Sequence, residues 1–224
     1  MEVKYLFCRL SPLVSFASDS SIYSGVGFST RALHAACPEA EVVIGVDTSP
    51  EMVAMARFMT DHIETMRQRR MQVLDVLKPI LPSLAMTAYW MVGDMMKRAT
   101  TVASFVKGNA QRTTFPDKSF DLVTIMYAFH EAPRHGRYLM LREARRLLDN
   151  GGKLAIVDIC PTYTPSPTML VGEPYVLEYQ ENILKQIESI KGFRLDEYQT
   201  IIPGQLVMWT LTRDNKAQHG TQSK

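Results

Sequence analysis

FDLVTIMYAFHEAPRHGRYLMLREARRLLDNGGKLAIVDI, residues 120–159, carries a strand, a helix and a second strand in close succession. Phe120–Met126 is a short apolar run with β-branched residues, the pattern of a strand buried on both faces. From Arg134 to Leu148 apolar residues return at Leu139, Leu141, Ala144, Leu147 and Leu148, close to the helical period. Asn150-Gly151-Gly152 then offers the left-handed conformation that stops a helix. Lys153–Ile159 (KLAIVDI) is a second buried strand. Two such strands joined through a helix form a parallel pair, because the crossover returns the chain to start again in the same direction.

The alternation extends upstream. Ser29–Ala36 predicts a short helix that stops before Pro38, and Val42–Val46 (VVIGV) an apolar strand. Asp47-Thr48-Ser49-Pro50 ends that strand and opens a helix, with Thr48 or Ser49 as the N-cap and Pro50 in the first turn. Phe105–Gly108 is another short strand. Downstream, Pro174–Lys191 is an amphipathic helix with Val176, Leu177, Ile183, Leu184, Ile187 and Ile190 on one side, capped by Gly192. Phe193–Ile202 and Leu206–Thr212, joined through Pro203-Gly204, are too close for a crossover and predict an antiparallel hairpin at a sheet edge. Asp214–Lys224 reads as a flexible polar tail. The fold class is α/β: a doubly wound, mostly parallel sheet with helices on both faces and a C-terminal antiparallel hairpin.

Composition excludes several functions. The 224 residues are 46% hydrophobic and 21% charged, which rules out collagen-like and disordered classes. Twenty-five Lys and Arg against 23 Asp and Glu leave a formal charge of +2, too small an imbalance for a nucleic-acid stripe. Cys8, Cys37 and Cys160 are far apart and show no zinc-ligand spacing, so neither a disulfide framework nor a metal site is expected. No apolar run reaches the length of a membrane span. The N-terminus, with Glu2 before its apolar residues and Arg9 within them, does not read as a secretory signal. Cytoplasm is the expected compartment, an organelle the alternative.

Four stretches, in order, carry a resemblance. They are Ser24-Gly25-Val26-Gly27-Phe28-Ser29-Thr30; Val43 to Met52; Gly108-Asn109-Ala110 with Phe115 to Val123; and Arg142 to Leu148 with Gly151-Gly152-Lys153-Leu154. Together they resemble the class I S-adenosylmethionine-dependent methyltransferases, in the small-molecule branch called type 11, over roughly residues 24–59 and 105–213. The resemblance implies a Rossmann-like sheet, S-adenosylmethionine as cofactor, and methyl transfer by in-line displacement to a small, apolar organic acceptor.

It also implies site residues. Ser24, Gly25 and Gly27 would close the backbone on the cofactor, where a Cβ would intrude, and the following helix would direct its free N–H groups at the cofactor carboxylate. Asp47 would accept both ribose hydroxyls, with Thr48 beside it; Met52 would pack on the adenine; Asn109 and Ala110 would meet the adenine edge. Asn109 replaces the family's usual Asp and keeps an acceptor. Tyr127 follows strand Phe120–Met126 at the ligand edge. His130 is the candidate base, because its charge changes near neutral pH, and Glu131 would orient it or bind substrate. Tyr163, Tyr175, Glu178 and Tyr179 fall where the family places acceptor contacts. The Asn/Asp-Pro-Pro-Tyr stretch of the nucleic-acid and protein-amide N-methyltransferases is missing, which argues against those substrates.

Two regions depart from the family. Residues 1–23 form an atypical N-terminal segment: Ser18 to Tyr23 make a poor strand before the glycine turn, and Leu13–Ala17 is the better candidate. A truncated or rearranged N-terminus with weakened cofactor binding is the expectation. Residues 60–104 read as a helical insertion in the 24–213 domain, with Met66, Met71, Met86, Met91, Met95 and Met96 and the basic Arg67, Arg69 and Arg70. Packing of its apolar stripe on the domain is the favoured reading; a lid over an apolar acceptor, or contact with a membrane surface, is the alternative. Two other functions compete: a nicotinamide-dependent oxidoreductase, since Asp47 lies 20 residues past Gly27, and a non-catalytic binding protein of the same fold.

Overall fold

The computed structural model describes residues 4–9, 27–37, 40–77 and 103–214. In chain order they form β1 (Lys4–Arg9), α1 (Phe28–Ala36), β2 (Val42–Asp47), α2 (Pro50–Leu77), β3 (Ser104–Lys107), β4 (Phe120–Met126) and α3 (Arg134–Leu147). There follow β5 (Leu148–Ile159), α4 (Pro167–Gly172), α5 (Val176–Glu188), β6 (Phe193–Ile202) and β7 (Leu206–Arg213). The strands make one sheet in the order β3-β2-β1-β4-β5-β7-β6. β2 pairs parallel with β3 and β4 with β5, while β7 lies antiparallel between β5 and β6. The doubly wound sheet and its C-terminal hairpin are therefore those predicted.

The first strand differs. Leu13–Ala17 lies outside the described residues, and the central slot is filled by Lys4–Arg9. This strand runs antiparallel to both neighbours: Leu6 pairs with Gly45 on β2 and with Thr124 on β4. Arg9 consequently lies beside Val42, the first residue of β2, and Lys4 beside Met126, the last of β4. Without a strand there, β2 and β4 would each bury an unpaired row of N–H and C=O groups. Either direction satisfies those rows, and the aromatic, apolar run Tyr5-Leu6-Phe7-Cys8 suits a sheet interior. Amide hydrogen exchange tests this placement. Peptides covering residues 4–9 should be as protected as those covering β4, and exchange at coil rates would overturn it.

Side chains alternate across the sheet with period two. Val43, Leu122 and Ala155 pack with Cys37 and Ala40 beside α1. Val46, Val123, Ile125, Leu154 and Ile156 point the other way, into the main core with Met140, Leu141 and Ala144 of α3, Ile183 of α5 and Trp209 of β7. Gly151 takes the left-handed φ of 78° that Asn-Gly-Gly offers, but it does so within β5: α3 already stops at Leu148, an extended C-cap. Strand β5 begins earlier than KLAIVDI, because Leu148 already pairs with Phe120 across a bulge. The motif residues Glu143 and Arg146 fasten the approach to β4: Glu143 accepts from Thr113 N and Oγ1, and Arg146 donates to Phe115 O and Asp117.

α2 is continuous from Pro50 to Leu77, so residues 60–77 prolong the helix that follows β2. Met66 is exposed on it, and Met86, Met91, Met95 and Met96 lie outside the described residues. Among the described residues no helix is long and apolar enough to cross a membrane.

Candidate active site

The carboxyl ends of β2, β3, β4 and β5 share one edge of the sheet, where parallel α/β folds gather ligands. On the β2–β3 side, Asp47 is buried at the end of β2, and its Oδ1 accepts the Ser49 N–H at 2.7 Å. Ser49, rather than Thr48, is the N-cap of α2: its Oγ accepts the Met52 N–H at 3.1 Å. Thr48 is exposed and Met52 half-buried. The backbone N–H of Gly108 donates to Asp47 O at 2.9 Å, joining the two strand ends. Asn109 is exposed with its Oδ1 occupied by the Gln111 N–H, and Ala110 is buried. Ser24 and Gly25 lie outside the described residues.

Gly27 opens α1 at φ 83°, and a Cβ there would come within 2.6 Å of the Phe105 ring. Glycine is needed on both counts. No side chain caps α1, so its first-turn N–H groups lack an intrahelical acceptor. Just inside that end the buried Ser29 Oγ has no hydrogen-bond partner among the described residues. A buried carboxylate, an uncapped helix start and a buried hydroxyl fit a nucleoside ligand with a carboxylate of its own.

On the β4–β5 side the backbone turns abruptly: Tyr127, half-buried, sits at φ 51°, a left-handed conformation costly for an aromatic residue. The turn carries Phe129 and His130 back over the end of β5. There Asp158 is fully buried on the same face as Leu154 and Ile156, where a carboxylate must be satisfied by the protein. It accepts the backbone N–H groups of Phe129 at 2.8 Å and Ile159 at 2.7 Å, and it holds His130 Nδ1 at 2.5 Å. The bond to Asp158 leaves His130 Nε2 as the nitrogen facing Glu173, whose Oε2 lies 3.4 Å away without hydrogen-bond geometry. Glu131 completes the group: ligand atoms of His130, Glu131 and Glu173 lie within 4.8 Å of one another.

The charge of His130 reflects these neighbours. Burial pushes its pKa down, but the hydrogen bond and charge of Asp158, then the charges of Glu173 and Glu131, outweigh burial and leave it raised above 6.5.

The expected acceptor contacts divide. Tyr163 and Tyr175 are half-buried around the segment after β5. Tyr179 is fully buried beneath His130 with its hydroxyl donated to Ile159 O at 2.7 Å, and Glu178 is ion-paired with Arg137 at 2.7 Å. These two are engaged with the protein itself and support the loop that bears His130. Sequence reasoning missed Asp158, Glu173 and Arg137. The signal for Asp158 was present, since a charged residue in KLAIVDI shares its face with two core residues.

The sequence model of a family described as "Methyltransferase domain" matches residues 86–156, which include β3, β4, α3 and most of β5. The ubiquinone/menaquinone biosynthesis C-methyltransferase UbiE of Bradyrhizobium sp. (strain BTAi1) is 39% identical over 62 residues, 28% of this chain and 24% of that protein. The protein of the same name from Rhodopseudomonas palustris (strain HaA2) is 38% identical over 98 residues, 44% of this chain and 36% of that protein. The matches thus span between a quarter and about a third of those relatives. A solved S-adenosylmethionine-dependent methyltransferase from Aquifex aeolicus superposes with a TM-score of 0.54 at 17% identity, covering 84% of this chain and 78% of that one. At that identity the likeness is one of fold. The resemblance to class I methyltransferases holds in sequence over residues 86–156 and in the Rossmann-like architecture.

Proposed function

We propose that the chain is an S-adenosylmethionine-dependent methyltransferase acting on a small, apolar, hydroquinone-like acceptor. The observation that carries this reading is the Asp158–His130 pair at the carboxyl edge, opposite the Gly27–Asp47 half of the site. When bound, S-adenosylmethionine supplies a methyl group on a positively charged sulfur, an electrophile that reacts by displacement. Asp47 would hold its ribose, and the α1 N-terminus with Ser29 its carboxylate.

The chain's own chemistry is proton management. An acceptor carbon that gains a methyl group loses a proton, as does a phenolic oxygen, so a base beside the acceptor lowers the barrier. Asp158 accepts from Nδ1 and directs Nε2 outward to receive that proton. Because the pKa of His130 is raised, the base form accumulates only above pH 6.5, and kcat/KM should climb with pH through that raised value. Exposed Leu170, Val171 and Leu177 flank Glu173 in sequence and give the acceptor side an apolar margin. UbiE, among the relatives, is named for C-methylation in quinone biosynthesis, which supports an acceptor of this class.

The test is calorimetric titration with S-adenosylhomocysteine. Asp47→Ala removes a charged acceptor of two hydroxyl bonds and should weaken binding by about 100-fold or more, at about 1.5–3 kcal/mol for each bond to a charged group. Absence of binding by the folded chain, or binding unchanged in Asp47→Ala, would overturn the reading and leave a non-catalytic protein of this fold.

A further inference from the structure

We propose that His130, Glu131 and Glu173 form a binding site for a divalent transition-metal cation at the acceptor end of the edge. No Cys or His spacing in the sequence announces it, because the three ligands come from two loops that only the fold brings together: the turn after β4 and the segment between α4 and α5.

Three observations support it independently. The donors are of the right kind and at the right separation: one imidazole nitrogen and two carboxylates lie within 4.8 Å of one another. Donors about 2.1 Å from a shared ion stand roughly 3.0–3.5 Å apart. The 3.4 Å between His130 Nε2 and Glu173 Oε2 already meets that, and the Glu131 oxygen, within 4.8 Å of both, would have to draw closer on binding. The imidazole is also oriented as metal-binding imidazoles are. Nδ1 is bound to a carboxylate that is itself fixed by two backbone N–H groups, so Nε2 presents its lone pair at a defined angle. Finally, the charge balance asks for a cation. Asp158 and Glu173 are two carboxylates on one imidazole, and His130 and Asp158 are almost wholly buried. A proton on His130 answers part of that excess; a doubly charged ion answers more.

One nitrogen and two carboxylate oxygens suit Mn²⁺, Fe²⁺ or Zn²⁺ better than Ca²⁺ or Mg²⁺, which prefer oxygen alone. Three protein ligands leave positions open for acceptor oxygens, and an oxygen on the ion loses its proton more readily. Binding itself does not depend on the methyltransferase reading; only this role in activating an acceptor rests on it. The ion takes the Nε2 lone pair, so a proton held there passes to solvent. In the metal-loaded chain His130 is a ligand rather than the base, and the acceptor oxygen on the ion gives its proton to solvent instead.

The experiment uses the full chain. Free Mn²⁺ is followed by its electron paramagnetic resonance signal, and Zn²⁺ is titrated calorimetrically near pH 7 in two buffers of different ionisation enthalpy. The expected result is one ion per chain with proton release. Affinity should fall at least tenfold in Glu173→Gln and in Glu131→Gln, and remain unchanged in Glu181→Gln, a control at an exposed acid of α5. Both test residues are only half-buried, so neither substitution threatens the fold. No binding at millimolar metal, or Glu173→Gln binding as tightly as the parent, overturns the proposal. Titration of the same samples with S-adenosylhomocysteine reports the cofactor reading separately.

Discussion

Arg137→Ala is expected to destabilise the chain by about 3–5 kcal/mol, the cost of truncating a large, fully buried side chain and leaving the buried Ala132 carbonyl without its donor. At about 2–4 °C per kcal/mol for a chain of this length, the midpoint of thermal unfolding should fall by roughly 6–20 °C. Arg137 is fully buried on α3, yet every part of its guanidinium is occupied. Nη1 donates to Ala132 O at 2.6 Å, Nη2 to Glu178 Oε2 at 2.7 Å and Nε to Gln186 Oε1 at 2.8 Å. The plane lies 5.8 Å over the Tyr179 ring. One side chain thus ties the loop bearing His130 to both α3 and α5. Glu178 is partly exposed, and water can replace its share; the buried carbonyl, the packing and the cation–π contact cannot be replaced so cheaply. Arg137→Met restores volume but no donors and should recover only part of the loss. Urea and thermal unfolding measure both variants, and a loss below 1 kcal/mol for Arg137→Ala would contradict this account of the loop.

The same residue shows how far the sequence could be read. Arg137, Met140 or Leu141, Ala144 and Leu147 recur at helical spacing, so the core stripe of α3 has a cation in its first turn. The stripe was legible; the burial of its charged member was not, because periodicity reports a face and not what answers a charge on it. The strands β4, β5, β6 and β7 and the helices α3 and α5 follow from apolar period and link length, which are local properties. The direction of β1 is not local. Tyr5-Leu6-Phe7-Cys8 has the composition of a buried strand, but its antiparallel pairing depends on which edges β2 and β4 leave open. The site divides in the same way. Asp47 and His130 stand at or just past strand ends that the pattern identifies, and Gly27 at a helix start. Glu173 reaches His130 only because the segment after β5 folds back through α4, a helix of six residues that no period announces.

Asp158→Asn should remove the negative charge that holds the proton on His130, lower the pKa of that histidine and cost about 3 kcal/mol of stability. The shape is preserved, but the asparagine carbonyl replaces only one carboxylate oxygen. It accepts either the Phe129 N–H, now held by Oδ2, or the Ile159 N–H and Nδ1, now held by Oδ1, and the amide NH2 faces the other donor. At least one charge-assisted bond to a backbone N–H or to Nδ1 is lost and the rest become neutral, at about 1.5–3 kcal/mol for a bond to a charged group. The groups around the imidazole are Asp158 on β5, Glu131 on the turn after β4, Glu173 beyond α4, and Tyr179 on α5 with Arg137 of α3 stacked over its ring. Of these, Asp158 does most to oppose burial. In the parent chain the folded pKa is raised above the unfolded value of about 6.5. The stabilisation from the charged imidazole is therefore complete below about pH 6.5 and is lost as pH climbs through the raised value. In the variant only Glu173 and Glu131 oppose burial, so the pKa should drop toward or below 6.5 and that alkaline loss should shrink or vanish. Chemical shifts of the His130 ring against pH give both pKa values directly, and urea unfolding at pH 6 and pH 8.5 gives the stability difference. An unchanged pKa in Asp158→Asn would mean that the two glutamates alone hold the proton, and Asp158 would then be only an anchor for the backbone of the turn.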